Sequence, residues 1–325
     1  MALFPDKTLH NWLKVSLIMG NILIYVAMVS FNVLASFPQN TTKKLFPTDV
    51  GGTSDAYYLE VTPAGWVFST IWTIIFIWNG LWLIYAFINI FRRLKDNTLF
   101  YRRFDFLNFG VFIAFIVNNL SIIAWLFLWT NKFPGWALLL IVFCVVPLDV
   151  ALIIYYRKLD HCKQEMKEHG YKKDLVFSRI LIQNGLATFA TWLTLATNLN
   201  FATFLTYDCG ANQDIASTII LFIILIIAVV YFIIENFIWQ KYLLYNFSPW
   251  FVINFALIGS IVKNYKASSP TRNNIITVIL FVITMILAIT KIVFFILYKT
   301  ACKNRVNRKI FQREQKIEET KVEMS

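Results

Sequence analysis

Histidine and cysteine are scarce in this chain, three and four among 325 residues. They do not fall at metal-ligand spacing: there is no CxxC, no HExxH and no Cys/His cluster, so no metal site is assigned. His10, His161 and His169 all sit in polar segments outside the apolar runs. Glycine is sparse as well, with 11 residues, and neither a Gly-rich phosphate loop nor a GxSxG elbow occurs. Charged residues make up 15% of the chain, well under the roughly 25% of an average soluble domain. These shortages exclude the common soluble-enzyme signatures, and no catalytic residue is assigned.

What fills the chain instead is apolar surface, 58% of residues. Runs of about 20 residues, enough to cross a bilayer as helices, recur over 12–36, 63–90, 106–129, 134–156, 176–206, 215–239, 248–264 and 274–298. The fold class is therefore an all-α polytopic transmembrane bundle of about eight spans. The seventh run is the shortest. The first is too long for the apolar core of a cleaved signal and lacks a small-residue cleavage site, so it is expected to be a retained signal-anchor. Cys144 lies inside a run and Cys209 is the one cysteine expected outside, so no disulfide within the chain is expected.

The net charge of +12 does not indicate nucleic acid, because its distribution follows the membrane. Of the 30 basic residues, Lys43, Lys44, Lys132, Lys263, Lys266 and Arg272 fall on one side of an eight-span chain and Lys291 lies within the last run, leaving 23 for the other side. Lys and Arg in short loops mark the cytoplasmic side, so both termini are expected there. Asn40–Thr42 is an N-glycosylation sequon in the long first loop, which this topology puts outside. The tail, 300–325, is basic and then mixed in charge, and is expected to be disordered near anionic headgroups. The choice between plasma membrane, endoplasmic reticulum and outer mitochondrial membrane is left open.

The second run, "TPAGWVFSTIWTIIFIWNGLWLIYAF", carries four tryptophans after a proline. Pro63, Gly65, Trp66, Phe68 and Trp72 there resemble the second helix of the TspO/MBR family, the tryptophan-rich sensory and translocator proteins. The order that follows is similar to that family too: Asn118, Asn119, Trp125 and Trp129, a short turn with Pro134, then Trp192, Ala196, Thr197, Leu199 and Asn200 in the fifth run. The resemblance covers about 10–208 and implies a five-helix domain whose long first loop acts as a lid, with residues 209–299 as a three-helix extension. It also implies a cavity that accepts porphyrins and other aromatic ligands. Three features depart from the family: Thr188 replaces a proline, the first loop lacks its tryptophan and lysine-proline signature, and no sterol-type Leu/Val–Tyr–Lys/Arg pattern follows Asn200. A match to that pattern does stand at Leu152, Tyr155 and Arg157.

At helical spacing, Ser69, Trp72, Phe76 and Asn79 form one stripe, and Asn184, Thr188, Trp192 and Ala196 another; Asn118 and Trp125 belong to a third. Asn and Ser are costly in hydrocarbon unless satisfied, so these stripes face protein or a cavity. The expected ligand-binding set is Trp72, Trp192, Ser69, Phe76, Asn79, Asn118, Trp125, Thr188, Ala196 and Asn200, with Trp72 opposite Trp192 across a pocket for a small hydrophobic ligand. Trp66 and Trp82 are read as interfacial anchors or lipid-facing packing. No cofactor is required; a porphyrin- or haem-like guest fits the resemblance. Asp149, Glu235 and Lys291, at equal depth in three runs, form a candidate charge cluster. That cluster keeps two alternatives in play: a secondary transporter coupled through it, or a structural ion pair. A receptor-like membrane protein is a further alternative, and self-association is left open.

Overall fold

The computed structural model describes residues 7–39 and 42–323, with side chains through residue 301 and at Asn304. Asn40 and Thr41, and with them the expected glycosylation site, lie outside the described residues. The described chain is helical throughout: α1 Trp12–Ser36, α2 Val50–Ala56, α3 Gly65–Phe91, α4 Phe100–Arg103, α5 Phe109–Thr130 and α6 Pro134–Glu168. There follow α7 Lys172–Phe177, a π-helical segment Ser178–Gln183, α8 Asn184–Tyr207 and α9 Gln213–Ile233. A second π-helical segment, Ile234–Ile238, leads into α10 Gln240–Leu243, α11 Ser248–Asn264 and α12 Arg272–Glu323.

Local chemistry sets the helix starts. Asn11 and Asn108 cap α1 and α5 by accepting from the backbone N–H groups of Lys14 and Val111. Pro134 and Pro249 sit in the first turns of α6 and α11, where a missing N–H costs nothing. Between α5 and α6, Lys132 adopts a left-handed φ of 64°, which closes the short turn. The described part of the tail is helical, as the continuation of α12 to Glu323. Its Lys, Glu, Gln and Arg content is favourable to helix.

Among the described residues six helices, α1, α3, α5, α6, α9 with its π-segment, and α12, are long and apolar enough to cross a bilayer. The remaining two expected spans, α8 and α11, fall below that measure for physical reasons. α11 has only 17 residues. α8 is rich in Thr and Asn, and it can be so because it packs against α3, α6, α9 and α11 and most of it is buried. Five of its threonine hydroxyls are spent on its own backbone: Thr188, Thr191, Thr194, Thr197 and Thr203 each donate to the carbonyl four residues back. A helix surrounded by protein need not be apolar to lie at membrane depth.

One continuous apolar core runs from Ile18 in α1 to Leu280 in α12. The last three helices are therefore packed into the same core as the first five. α11 is seated against α3 at Gly259, where an added Cβ would stand 2.3 Å from Val67 Cγ2, and the Ala64 N–H donates to the Gly259 carbonyl at 3.1 Å.

Candidate functional site

At the end of the bundle that carries the first loop, α1, α2, α3, α5, α6 and α8 surround a cavity of about 470 Å³. That size suits a small-molecule guest, since ligand sites span about 300–1,000 Å³. Ser69, Trp72 and Phe76 line it from α3, Trp125 from α5, and Trp192, Ala196 and Asn200 from α8. The structure thus brings seven of the ten expected ligand-binding residues to one wall system.

The other three stand elsewhere, each donating to a backbone carbonyl. The Asn79 amide donates to the Ile75 carbonyl at 2.9 Å and to the Gly185 carbonyl at 3.4 Å, and its oxygen accepts from Trp82 Nε1 at 2.9 Å. Asn118 donates to the Cys144 carbonyl at 2.8 Å, tying α5 to α6. Thr188 donates to the Asn184 carbonyl at 2.7 Å. Trp82, read from the sequence as lipid-facing or interfacial, is fully buried against Phe112 and Phe115. Its partner Asn79 explains why an indole N–H is affordable in that core.

The indoles of the cavity differ in how their N–H groups are used. Trp125 stacks on Trp129 at 5.6 Å and donates to Asn200 Oδ1 at 3.2 Å, while Trp129 donates to the Val50 carbonyl at 3.3 Å. Trp192 is 1% exposed, yet its Nε1 has no hydrogen-bond partner among the described residues. Leaving such a donor unmet costs about 1–3 kcal/mol. Trp72 and Trp192 do not stack on each other. Each leans edge-on against a phenylalanine of the facing helix, Trp72 on Phe189 at 6.0 Å and Trp192 on Phe68 at 5.5 Å.

The first loop roofs the cavity. Asp49 caps α2 through the Gly52 N–H at 2.6 Å, and a Cβ at Gly52 would stand 2.8 Å from the same carboxylate, so glycine lets this turn close. Thr48 donates to the Thr130 carbonyl at 2.7 Å, which fastens the loop to the end of α5. On the opposite side Asp55 pairs with Lys263 of α11 at 3.1 Å. Tyr57, also on the wall, donates to the Lys132 carbonyl at 3.3 Å. Burial, with Asp208 and Tyr207 nearby, pushes its hydroxyl above the ordinary tyrosine value, so it stays a neutral donor.

These roof residues, together with Asn32 and Val33 of α1, Trp129 and Lys263, are the part of the site that sequence stripes missed. The Trp125–Trp129 spacing of four residues carried a signal for one of them. Lys263 carried none, because its place depends on how α11 docks on α3.

The candidate charge cluster separates. Glu235 and Lys291 are both buried and lie 3.3 Å apart. Trp250 Nε1 donates to Glu235 at 2.5 Å, and Lys291 donates to the Leu243 carbonyl at 3.2 Å. Asp149 is exposed on α6. Among the described residues it forms no ion pair with either, α6 packing mainly on α5 and α8 and α12 on α9 and α11.

A family model described as TSPO-like protein matches residues 17–293. The match extends past residue 208, where the resemblance was expected to end, and takes in α9, α11 and most of the apolar part of α12. Comparison with curated proteins and with solved structures gave no match. With the family model covering most of its length, the chain belongs to the TSPO-like protein family.

Proposed function

We propose that this integral membrane protein, of the sensor or translocator type its family indicates, binds a flat, largely apolar molecule in the first-loop cavity. The observation that carries the reading is the pair of Trp192 and Trp72 rings lining one cavity, with the buried Trp192 N–H unpartnered among the described residues. Ring stacking supplies contact area, and one acceptor on the guest satisfies the indole and fixes its orientation. A porphyrin has both, a planar apolar body and carboxylate edges. In this reading the chain crosses the membrane eight times, with α8 and α11 as spans and both termini cytoplasmic, so the cavity lies towards the outer face.

The test is quenching of tryptophan fluorescence by protoporphyrin IX on the purified protein, compared with Trp72→Phe/Trp192→Phe. Saturable binding whose midpoint weakens more than about tenfold in the variant is expected, the loss set by one hydrogen bond and one ring contact together. Linear quenching, or an unmoved midpoint, would sink the reading. Transport coupled through intramembrane charge is the second reading, and the buried Glu235–Lys291 pair favours it. Under that reading Glu235→Gln, and not the tryptophan pair, removes function.

A further inference from the structure

The cavity is not closed on all sides within the bundle. Ser69 and Thr73 line it, yet both are exposed. Thr73 belongs to the stripe of α3 that continues through Ile77, Leu81, Ile84, Ile88 and Phe91, each 45% exposed or more. In a membrane protein that stripe is the lipid-facing one. Facing it, Val33 of α1 and Phe37 just past its end also line the cavity and are 52% and 71% exposed. Thr73 lies eight residues into α3, about 12 Å along the helix at 1.5 Å per residue, so the gap reaches below the helix end.

Packing explains the gap. α1 and α3 touch lower down, where the Tyr25 hydroxyl donates to the Phe76 carbonyl at 2.5 Å and the tyrosine ring lies against Gly80. Beyond that contact the two helix ends take different partners. The end of α1 is held towards α5 by Phe31 against Phe127 at 5.8 Å, with Phe46 of the first loop stacked on Phe127 at 5.0 Å. The start of α3 is held towards α11 by the close Val67–Gly259 seat and by Trp66 edge-on to Phe255 at 5.5 Å.

The hydroxyls at the gap tolerate hydrocarbon. Ser69 donates to the Trp66 carbonyl at 3.0 Å and Thr73 to the Ser69 carbonyl at 2.8 Å, so neither proton is left unmet. Their oxygens remain free to accept.

We propose that the cavity loads sideways from the bilayer through this gap between α1 and α3. Its ligand is then a membrane-dissolved amphiphile, with an apolar body that crosses the gap and an accepting group that reaches Trp192. The inference rests on the cavity being a ligand site, as proposed above, and adds the route and the solubility class.

The experiment follows protoporphyrin IX binding by stopped-flow quenching on the full chain in liposomes. Ser69→Phe/Thr73→Phe plugs the gap from α3 and Val33→Trp fills it from α1, all three at exposed positions. Asp55→Phe instead obstructs the roof. Both gap variants should slow association and dissociation by about tenfold or more, a larger change than any shift they cause in the equilibrium midpoint. Asp55→Phe should slow loading far less than either gap variant, and added lipid at constant total porphyrin should slow loading by diluting the probe in the bilayer. Wild-type binding that both gap variants leave at full speed, with Asp55→Phe slowing it, overturns sideways loading and spares the cavity. Absence of saturable binding in the wild type overturns the cavity reading itself.

Discussion

Trp192 carries a hydrogen-bond donor that the folded chain leaves unused, and Trp125 carries one that it uses. The two should respond oppositely to the same change. Trp192→Phe breaks no protein hydrogen bond, so it should weaken ligand by about tenfold, the worth of one such bond, while the ligand-free protein keeps most of its thermal stability. Trp125→Phe strands Asn200 Oδ1 and should lower stability by about 1–3 kcal/mol. Thermal unfolding with and without ligand separates the two. At Lys291 the change is larger. Lys291→Met leaves Glu235 buried without its cation and should cost about 3–5 kcal/mol; adding Glu235→Gln should recover much of that, as read from unfolding midpoints. At this scale the sequence was informative about residue type and poor about use. Stripes picked out Trp72, Trp192 and Asn200, but Asn79 fits the same stripe and serves Trp82, because helical spacing gives a face and not the neighbour that covers it.

Among the elements, α11 decides where α3 begins. Gly259→Ala forces its new Cβ into Val67 and should destabilise by about 1–3 kcal/mol, as overpacking does. Val67→Ala added to it should restore the loss, and a double-mutant cycle on thermal midpoints would measure the coupling. If the two changes simply add, the seat is not what holds the helices together. α8 shows the limit of apolarity as a signal. Its Thr and Asn residues depress its hydropathy, yet it lies among four helices. The chain alone revealed a helix there; only its neighbours explain why a polar one is stable at that place.

For the molecule as a whole, the continuous core from Ile18 to Leu280 predicts that a chain cut after residue 208 does not fold stably. Loss of α9 to α12 would expose the α8 surface, the Val67 seat and the Glu60 backbone N–H that donates to Gln213 at 3.1 Å. Expression of residues 1–208 with a protease-sensitivity assay tests this, and a resistant fragment would mean the five-helix part stands alone. The sequence by itself determined the solvent and the helices, because runs of apolar residues long enough to cross a bilayer have few other physical solutions. It also determined the tryptophan-bearing face of the cavity, through spacing that any α-helix must obey. Only the tertiary structure decided that Lys291 pairs with Glu235 and not with Asp149, that Lys263 closes the roof, and that a gap separates α1 from α3. Those outcomes depend on which helix lies beside which, and that choice is made by interlocking surfaces such as Gly259 on Val67, distributed over residues far apart in the chain.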